Sequence, residues 1–433
     1  MIVCKFGGSS VADANQIKKV KAILESNEER CIAVVSAPGK RNKDDEKITD
    51  LLYQCNEEVQ KGIICRDTFK KIHNRYMEIA NELKLDTTFL SEELDSVRRL
   101  IDAGRGADYA ASRGEYLSAY LISQYLGWEF VDSYDCIVIN SDNTTNAISY
   151  DNLSSRLNSG KKYVIPGFYG KTERGELKTF SRGGSDITGA IVARAVNASL
   201  YENWTDVSGV FSANPVKIKD AKVIDSLSYQ EVRELAEVGA SVFHEEAIAP
   251  VVEKNIPICV KNTNKPEDPG TLISNEFTGS GVKGISVKGG LSMIKLRKLM
   301  LFKKSGMRHA LLTMLHIFGI RPCYSLFGID SIIWFFDSAM ASDSVCSSMC
   351  ERIKMEYSLD SSSVTRGYAM LGLVGPDMDT STDYIDALIA LKNAGIEVVT
   401  VNYGASNTTC LIGIKEEDKD NALKVCYDAL FRR

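Results

Sequence analysis

An apolar run from Ile2 to Phe6 carries a single lysine, Lys5, near its C-terminal end and breaks at once into Gly7-Gly8-Ser9-Ser10. A polar, helix-forming stretch from Asp13 to Glu29 follows. That order predicts a buried strand, a tight turn and a helix. Residues without side chains at such a turn let backbone N–H groups approach phosphate oxygens. The helix start adds partial positive charge, and Lys5 adds a full one. The spacing is neither that of GxxxxGKS/T nor that of GxGxxG. A lone Gly-Gly also occurs in plain left-handed turns, so the rest of the chain has to decide.

A chain of 433 residues predicts two or three domains. Its 44% hydrophobic and 25% charged content is that of a globular protein. A net charge of −5 argues against a nucleic-acid partner, which needs a basic face. The eleven cysteines contain no CxxC pair, and there are four histidines. With no signal peptide, the expectation is reduced thiols in the cytoplasm and no metal site in the protein. Cys346 and Cys350 lie one helical turn apart but lack two further ligands nearby. Apolar runs such as Ser331 to Phe336 are too short to span a bilayer, so no membrane partner is expected.

From residue 1 to about 280, apolar strands alternate with helical stretches. The strands are Cys31 to Ser36, Phe130 to Val131, Cys136 to Ile139, Tyr163 to Pro166, Leu200 to Trp204 and Ile256 to Val260. The helices include Ile48 to Val59, Arg113 to Tyr125 and Thr188 to Val196. Such alternation implies a largely parallel sheet with helices on both faces and ligands at the C-terminal strand ends. Residues 261–284 are loop-rich and mark a boundary. Beyond it the order strand, turn, helix, Gly, strand, hairpin, strand, helix occurs twice, with Gly319 and Gly395 equivalent and 76 positions apart. Two small α+β modules in tandem suit a ligand sensor or an assembly platform.

Further clusters carry chemistry. In Thr179 to Ala190 a second Gly-Gly, Gly183-Gly184, sits between Arg182, a planar fork suited to a carboxylate, and Asp186 at a helix start. Alone it could be a capped turn; beside the Lys5 loop, the two turns read as halves of one site. Thr205 and Asp206 end a strand and offer polar groups to a ribose, a base edge or a hydrated metal, although an Asp there is often only a turn-former. Glu115 precedes an apolar helix face, and becomes a substrate contact only if it converges with the other loops.

Taken in order, KFGGSSV (5–11), VVSAPGK (34–40), RGEYLSA (113–119), PGFYG (166–170), FSRGGSDITGA (180–190), WTDVSGVFSANP (204–215) and PGTLI (269–273) closely resemble the aspartate kinase (aspartokinase) family. That family belongs to the amino-acid kinase superfamily and carries C-terminal tandem ACT domains. The resemblance spans essentially the whole chain. It implies an α/β fold: a three-layer αβα kinase domain with a mainly parallel central sheet over 1–282, its N-lobe on the aspartate side and its C-lobe on the ATP side. Two α+β (βαββαβ, ferredoxin-like) ACT modules would follow over 283–362 and 363–433. Donation of the first strand of the second module from about 283–290 stays open. No stretch is left for a fused homoserine dehydrogenase.

The implied reaction is ATP plus L-aspartate to ADP plus 4-phospho-L-aspartate, the first step toward lysine, threonine and methionine. The accepting carboxylate has an ordinary pKa of about 3.9 and needs no general base, so positioning and charge neutralisation would carry the catalysis. By the resemblance, Lys5 faces the transferring phosphoryl and Asp186 orients Lys5. Gly7, Gly8, Ser9 and Ser36 cradle phosphate. Arg182, with Gly184 and Ser185, holds the α-carboxylate of aspartate, and Glu115 receives its α-ammonium. Thr205, Asp206, Phe211 and Lys217 cover ATP, with Mg²⁺ bridging its phosphates. An end-product amino acid, lysine rather than threonine, would inhibit from a site at Ser305, Gly306, Met307, Gly328 and Asp330. The ACT modules would hold a homodimer, with a tetramer as the alternative.

The chain departs from the family at three places. Val216 and Ser241 stand where cations are common, with Lys217 a candidate substitute, and Ile332-Ile333-Trp334 replaces a serine-rich edge strand. Two rival readings follow: a catalytically impaired ACT-based sensor, and a kinase for another small carboxylate.

Overall fold

The computed structural model describes residues 1–157, 160–181, 183–240 and 245–432. The chain forms two compact units. The first takes Met1–Val210, Val223–Val232 and Val242–Phe277; the second takes Phe211–Lys222, Arg233–Ser241 and Thr278–Arg433.

The first unit is built on strands β1 (Ile2–Phe6), β2 (Arg30–Val35), β3 (Glu129–Phe130), β4 (Tyr163–Pro166), β5 (Tyr169–Lys171), β6 (Leu177–Thr179), β7 (Leu200–Thr205), β8 (Ser226–Ser228), β9 (Ile258–Asn262) and β10 (Thr271–Ser274). Eight of them form a sheet in the order β3-β4-β2-β1-β7-β9-β10-β8, and β5 and β6 form a separate hairpin. Every pairing in the sheet is parallel except β9 with β10. All five residues of β1 are buried, as a strand covered on both faces requires. The expected strand at Cys136 to Ile139 is not continuous. Ser133–Cys136 is a helical turn capped by the Asp132 side chain, and Val138 and Ile139 make only isolated bridges. The passage after residue 261, expected as loop, gains a short strand, β10.

The second unit holds one antiparallel sheet in the order β12-β13-β11-β14-β16-β15. Its strands are β11 (Gly284–Arg297), β12 (Tyr324–Phe327), β13 (Ser331–Asp337), β14 (Ser361–Val374), β15 (Val398–Asn402) and β16 (Thr409–Lys415). The two long central strands each break in the middle, at Gly290 (φ +73) and Gly367 (φ +85). Leu291–Arg297 lies with the helices Met307–Ile317 and Asp343–Tyr357 over a core of Ile294, Leu296, Leu311, Trp334 and Met349. Gly284–Lys288 pairs instead with Met370–Val374, and Ile285 joins a core with Leu371, Leu391, Ile412 and Leu423. One strand therefore serves two modules. Ala213 and Ile218 join the same core, which is why 211–222 belongs to this unit rather than to the first.

The repeat is visible in detail. Gly319 (φ +75) and Gly395 (φ +71) each follow a helix in the left-handed conformation that glycine adopts without strain. The next residue reaches back the same way in both copies: Ile320 N–H to Leu315 O at 2.9 Å, and Ile396 N–H to Leu391 O at 3.0 Å. Ile332-Ile333-Trp334 does not lie on an edge strand, because β13 sits between β12 and β11. Among the described residues no helix is long and apolar enough to cross a membrane.

Candidate active site

Lys5 lies opposite Asn203 in the β1–β7 register, so both side chains project from the same face of the sheet. The Lys5 Nζ is 2.6 Å from Asp186 Oδ1, in the first turn of the helix Gly184–Ala195. The Asn203 Nδ2 donates to the same oxygen at 3.1 Å. Lys5 is 8% and Asn203 5% exposed. The Asn203 Oδ1 is buried with no partner among the described residues. A buried acceptor left unpaired is costly, and here it stands next to a charged pair at the C-terminal ends of two strands. Small residues let the Asp186 helix come close: a side chain on Gly189 would collide with the Tyr201 ring.

Beyond Lys5, the Gly7 N–H continues the ladder to Trp204 O at 3.0 Å, so it is spent inside the protein. Gly8 and Ser9 open the 3-10 turn Gly8–Val11, whose first N–H groups have no acceptor within the turn. Gly8 meets Gly39 back to back. A Cβ on Gly39 would stand 2.8 Å from Gly8 C, and the Gly39 N–H donates to Gly8 O at 2.9 Å. Ser36 sits half-buried at the end of β2, its N–H bonded to Phe6 O at 3.1 Å. Ser10 is not part of the cradle surface. It is buried, and its hydroxyl lies 2.7 Å from Thr263 Oγ1.

Glu115 comes from the helix Ala107–Leu126. Its neighbour Gly114 has no room for a side chain, since a Cβ there would lie 2.7 Å from Ala37 Cβ. The helix thus presses Glu115 onto the Ser36-Ala37-Pro38 turn. Glu115 is 5% exposed and its Oε2 has no partner among the described residues. Burial pushes this carboxyl up to about 8, against the opposing pull of the Ala37 backbone N–H. A buried carboxyl group with an unused oxygen is a receptor for a cation.

Gly184 and Ser185 begin the Asp186 helix against the Pro166–Gly170 turn. A Cβ on Gly184 would lie 2.6 Å from the Phe168 ring, and one on Gly167 would lie 2.6 Å from Ser185 Oγ. Phe168 adopts φ +79, a conformation rare for a bulky residue. It is held by the bond from its N–H to Thr188 Oγ1 at 3.0 Å. Arg182 lies outside the described residues, as does Ser241. Thr205 donates to Asp206 Oδ1 at 3.1 Å on the exposed end of β7.

Phe211 and Lys217 belong to the second unit, where the Lys217 ammonium is paired with Asp420. In the same unit Gly306 (φ +77) precedes the helix that Met307 begins, and Ser305 is exposed. The Asp330 Oδ1 accepts from the Met300 N–H at 2.7 Å, and Gly328 N–H closes on Ser331 O at 2.8 Å. The structure thus joins Lys5, Asp186 and the Gly8 turn, and adds two residues missed from sequence, Asn203 and Gly39. For Gly39 a signal was present, a glycine closing the second turn, whereas Asn203 takes its meaning from the register that sets it opposite Lys5.

Two glycine turns packed together beside a lysine–aspartate pair, with a buried carboxyl group against one of them, invite comparison with known proteins. The family profile described as "Amino acid kinase family" matches residues 1–262. Aspartokinase 3 of Bacillus subtilis is 33% identical over 448 aligned residues that cover 100% of this chain and 99% of that protein. The chain belongs to the amino acid kinase family, as an aspartokinase. Its fold is close to that of the Clostridium acetobutylicum aspartate kinase, with a TM-score of 0.87, 40% identity and 99% of each chain covered. The E. coli aspartokinase III solved in complex with aspartate and ADP shares the fold at a TM-score of 0.82 and 24% identity, with 100% of each chain covered. The protein is therefore an ATP-dependent kinase acting on a carboxylate, and the tandem modules of its second unit are those of an ACT-containing aspartate kinase.

Proposed function

We propose that this aspartokinase transfers the γ-phosphoryl group of ATP to the β-carboxylate of L-aspartate, giving ADP and 4-phospho-L-aspartate, and does so in the cytoplasm as the first step toward lysine, threonine and methionine. The observation that carries the reading is the Lys5–Asp186–Asn203 cluster beside the Gly8–Gly39 turns, at a strand end where no base is needed. The β-carboxylate arrives ionised, so the barrier lies in bringing two anions together. Lys5 would turn its ammonium onto the transferring phosphoryl group as charge develops there, while Asn203 keeps Asp186 in place throughout. The free N–H groups of Gly8 and Ser9 would take phosphate oxygens, with Gly7 and Ser36 shaping the cradle wall. The donor set is an ammonium and backbone N–H groups, which fits phosphate oxygens. Mg²⁺ would accordingly ride on the ATP phosphates and neutralise their charge.

On the acceptor side, Glu115 would take the α-ammonium of aspartate. Its unused oxygen and raised affinity for a proton are what a site awaiting a cation has. Arg182, Gly184 and Ser185 would hold the α-carboxylate, and Thr205, Asp206 and Phe211 the nucleotide. For Lys217, contact with ATP would mean giving up Asp420. We further propose that the second unit binds an end-product amino acid, lysine before threonine, near Ser305, Gly306, Met307, Gly328 and Asp330, and dimerises through its ACT modules.

The test is ATP-dependent hydroxamate formation from L-aspartate and hydroxylamine. Wild-type protein should give it and Lys5→Ala should not. A folded wild-type protein that fails with Mg²⁺-ATP would sink the proposal.

A further inference from the structure

A cavity of about 620 Å³ lies against the start of the 20-residue helix Ala107–Leu126, and none of the Lys5, Asp186 and Asn203 cluster lines it. Gly106, Ala107 and Asp108 line it. Gly106 precedes the helix at φ +92, and no side chain caps that end. The first N–H groups of the helix therefore lack acceptors within it and carry the positive end of its dipole.

A second, independent feature points the same way. Arg113 lines the same cavity and is 7% exposed. Its guanidinium lies 4.9, 4.5 and 5.3 Å from the ring centres of Tyr109, Tyr116 and Tyr169. Its Nε donates to Ser112 Oγ at 3.2 Å. Among the described residues neither Nη has a hydrogen-bond partner and no carboxylate pairs with it. Arg105, exposed, stands at the rim. The carboxylates that line the cavity are engaged, Asp132 half-buried and Asp108 exposed. Asp132 Oδ1 accepts from the Tyr169 hydroxyl at 2.7 Å and the Tyr134 N–H at 3.0 Å, and Asp108 Oδ1 accepts from Thr179 Oγ1 at 2.6 Å. Glu176 is exposed at the rim. The lining carries charge of both signs, and the group it leaves without a polar partner among the described residues is the Nη fork of Arg113. Arg113 and Glu115 are two residues apart on one helix and so project to nearly opposite sides of it. The cavity is not the Glu115 pocket.

We propose that this cavity binds a small anion bearing a carboxylate or phosphate group, gripped by the Arg113 fork and the free N–H groups at Ala107 and Asp108, with Arg105 closing over it. A guanidinium held flat by aromatic rings keeps its edge free for two parallel bonds to either group. The proposal does not depend on the reaction assigned to the active site.

Calorimetric titration of the full chain, with Mg²⁺-ADP and L-aspartate saturating and ionic strength fixed, tests it with sodium succinate in one arm and sodium phosphate in the other. One probe per chain should be taken up saturably, and the probe that saturates names the anionic group. Arg113→Gln should weaken uptake about tenfold or more, and Arg105→Gln by a smaller factor. Ala107→Glu, which sets a second carboxylate beside Asp108 at the helix start, should weaken it about tenfold or more. Because Arg105 and Ala107 are not core residues, their variants decide the matter even if Arg113→Gln does not fold. The proposal is overturned if neither probe saturates at millimolar concentration, or if the folded variants all bind within about twofold of the parent.

Discussion

Strands β1 and β7 carry an ion pair on each face, and the two pairs are built differently: the Glu202 side chain is 5% exposed, whereas that of Asp186 is 19% exposed and reaches solvent. On one face Glu202 receives Arg30 in a fork, Nε to Oε2 at 2.8 Å and Nη2 to Oε1 at 2.9 Å. The Trp204 indole and the Cys4 thiol donate to Oε2 as well, at 2.9 and 3.3 Å. Arg30 also lies 5.3 Å from the Trp204 ring centre. Both Glu202 oxygens are used. On the other face, one residue along each strand, Lys5 and Asn203 share a single oxygen of Asp186 and the Asn203 carbonyl has no partner. The closed pair is a structural tie. The unfilled one keeps bonding capacity in reserve at the strand ends, which is what a ligand needs.

The comparison breaks most visibly if the closed pair is opened. Arg30→Met leaves Glu202 buried and uncompensated and should cost about 3–5 kcal/mol of unfolding free energy. Activity per folded molecule should be kept, as denaturant unfolding beside a hydroxamate assay would register. Lys5→Ala should do the converse, lowering kcat by about 10²–10³-fold, the loss typical of one transition-state charge contact. Glu115→Gln extends the comparison to a carboxyl group with no cation at all. In the folded chain Glu115 titrates at about 8, above its ordinary 4.5. The native state thus holds a proton that the unfolded chain releases. The stability linked to it is full below the unfolded value and is lost as pH rises through about 8. Ligand-free wild-type protein should lose stability steadily over that range while Glu115→Gln does not, seen in unfolding curves against pH. The smallest effect belongs to Asn203→Leu. It removes the second donor to Asp186 and should lower kcat about tenfold with KM for aspartate little changed. Unchanged kcat would show Asn203 to be filler.

Much of this was legible in the chain. Glycine punctuation predicts the paired helix ends at Gly319 and Gly395, where a positive φ is a local demand, and the Lys5 turn, where Gly8 and Gly39 pack too closely for side chains. The order of motifs identifies the family. Asn203 was not legible as a site residue, because its meaning comes from a strand register joining it to Lys5, 198 positions away. The allegiance of Phe211–Lys222 to the second unit was hidden for the same reason: Ala213 and Ile218 look like ordinary loop residues until the core they join is assembled. The Gly7 N–H, read as a phosphate donor, turned out to belong to the sheet, since a parallel ladder runs one residue beyond the apolar run that announces it.

The most direct test measures unfolding free energy and kcat for aspartyl phosphate formation on the same preparations of Lys5→Ala and Arg30→Met. The account predicts that the first loses its turnover while folding nearly as well as wild type, and that the second unfolds far more easily yet turns over normally while folded. A Lys5→Ala protein that is merely unstable, with its folded fraction fully active, would contradict it.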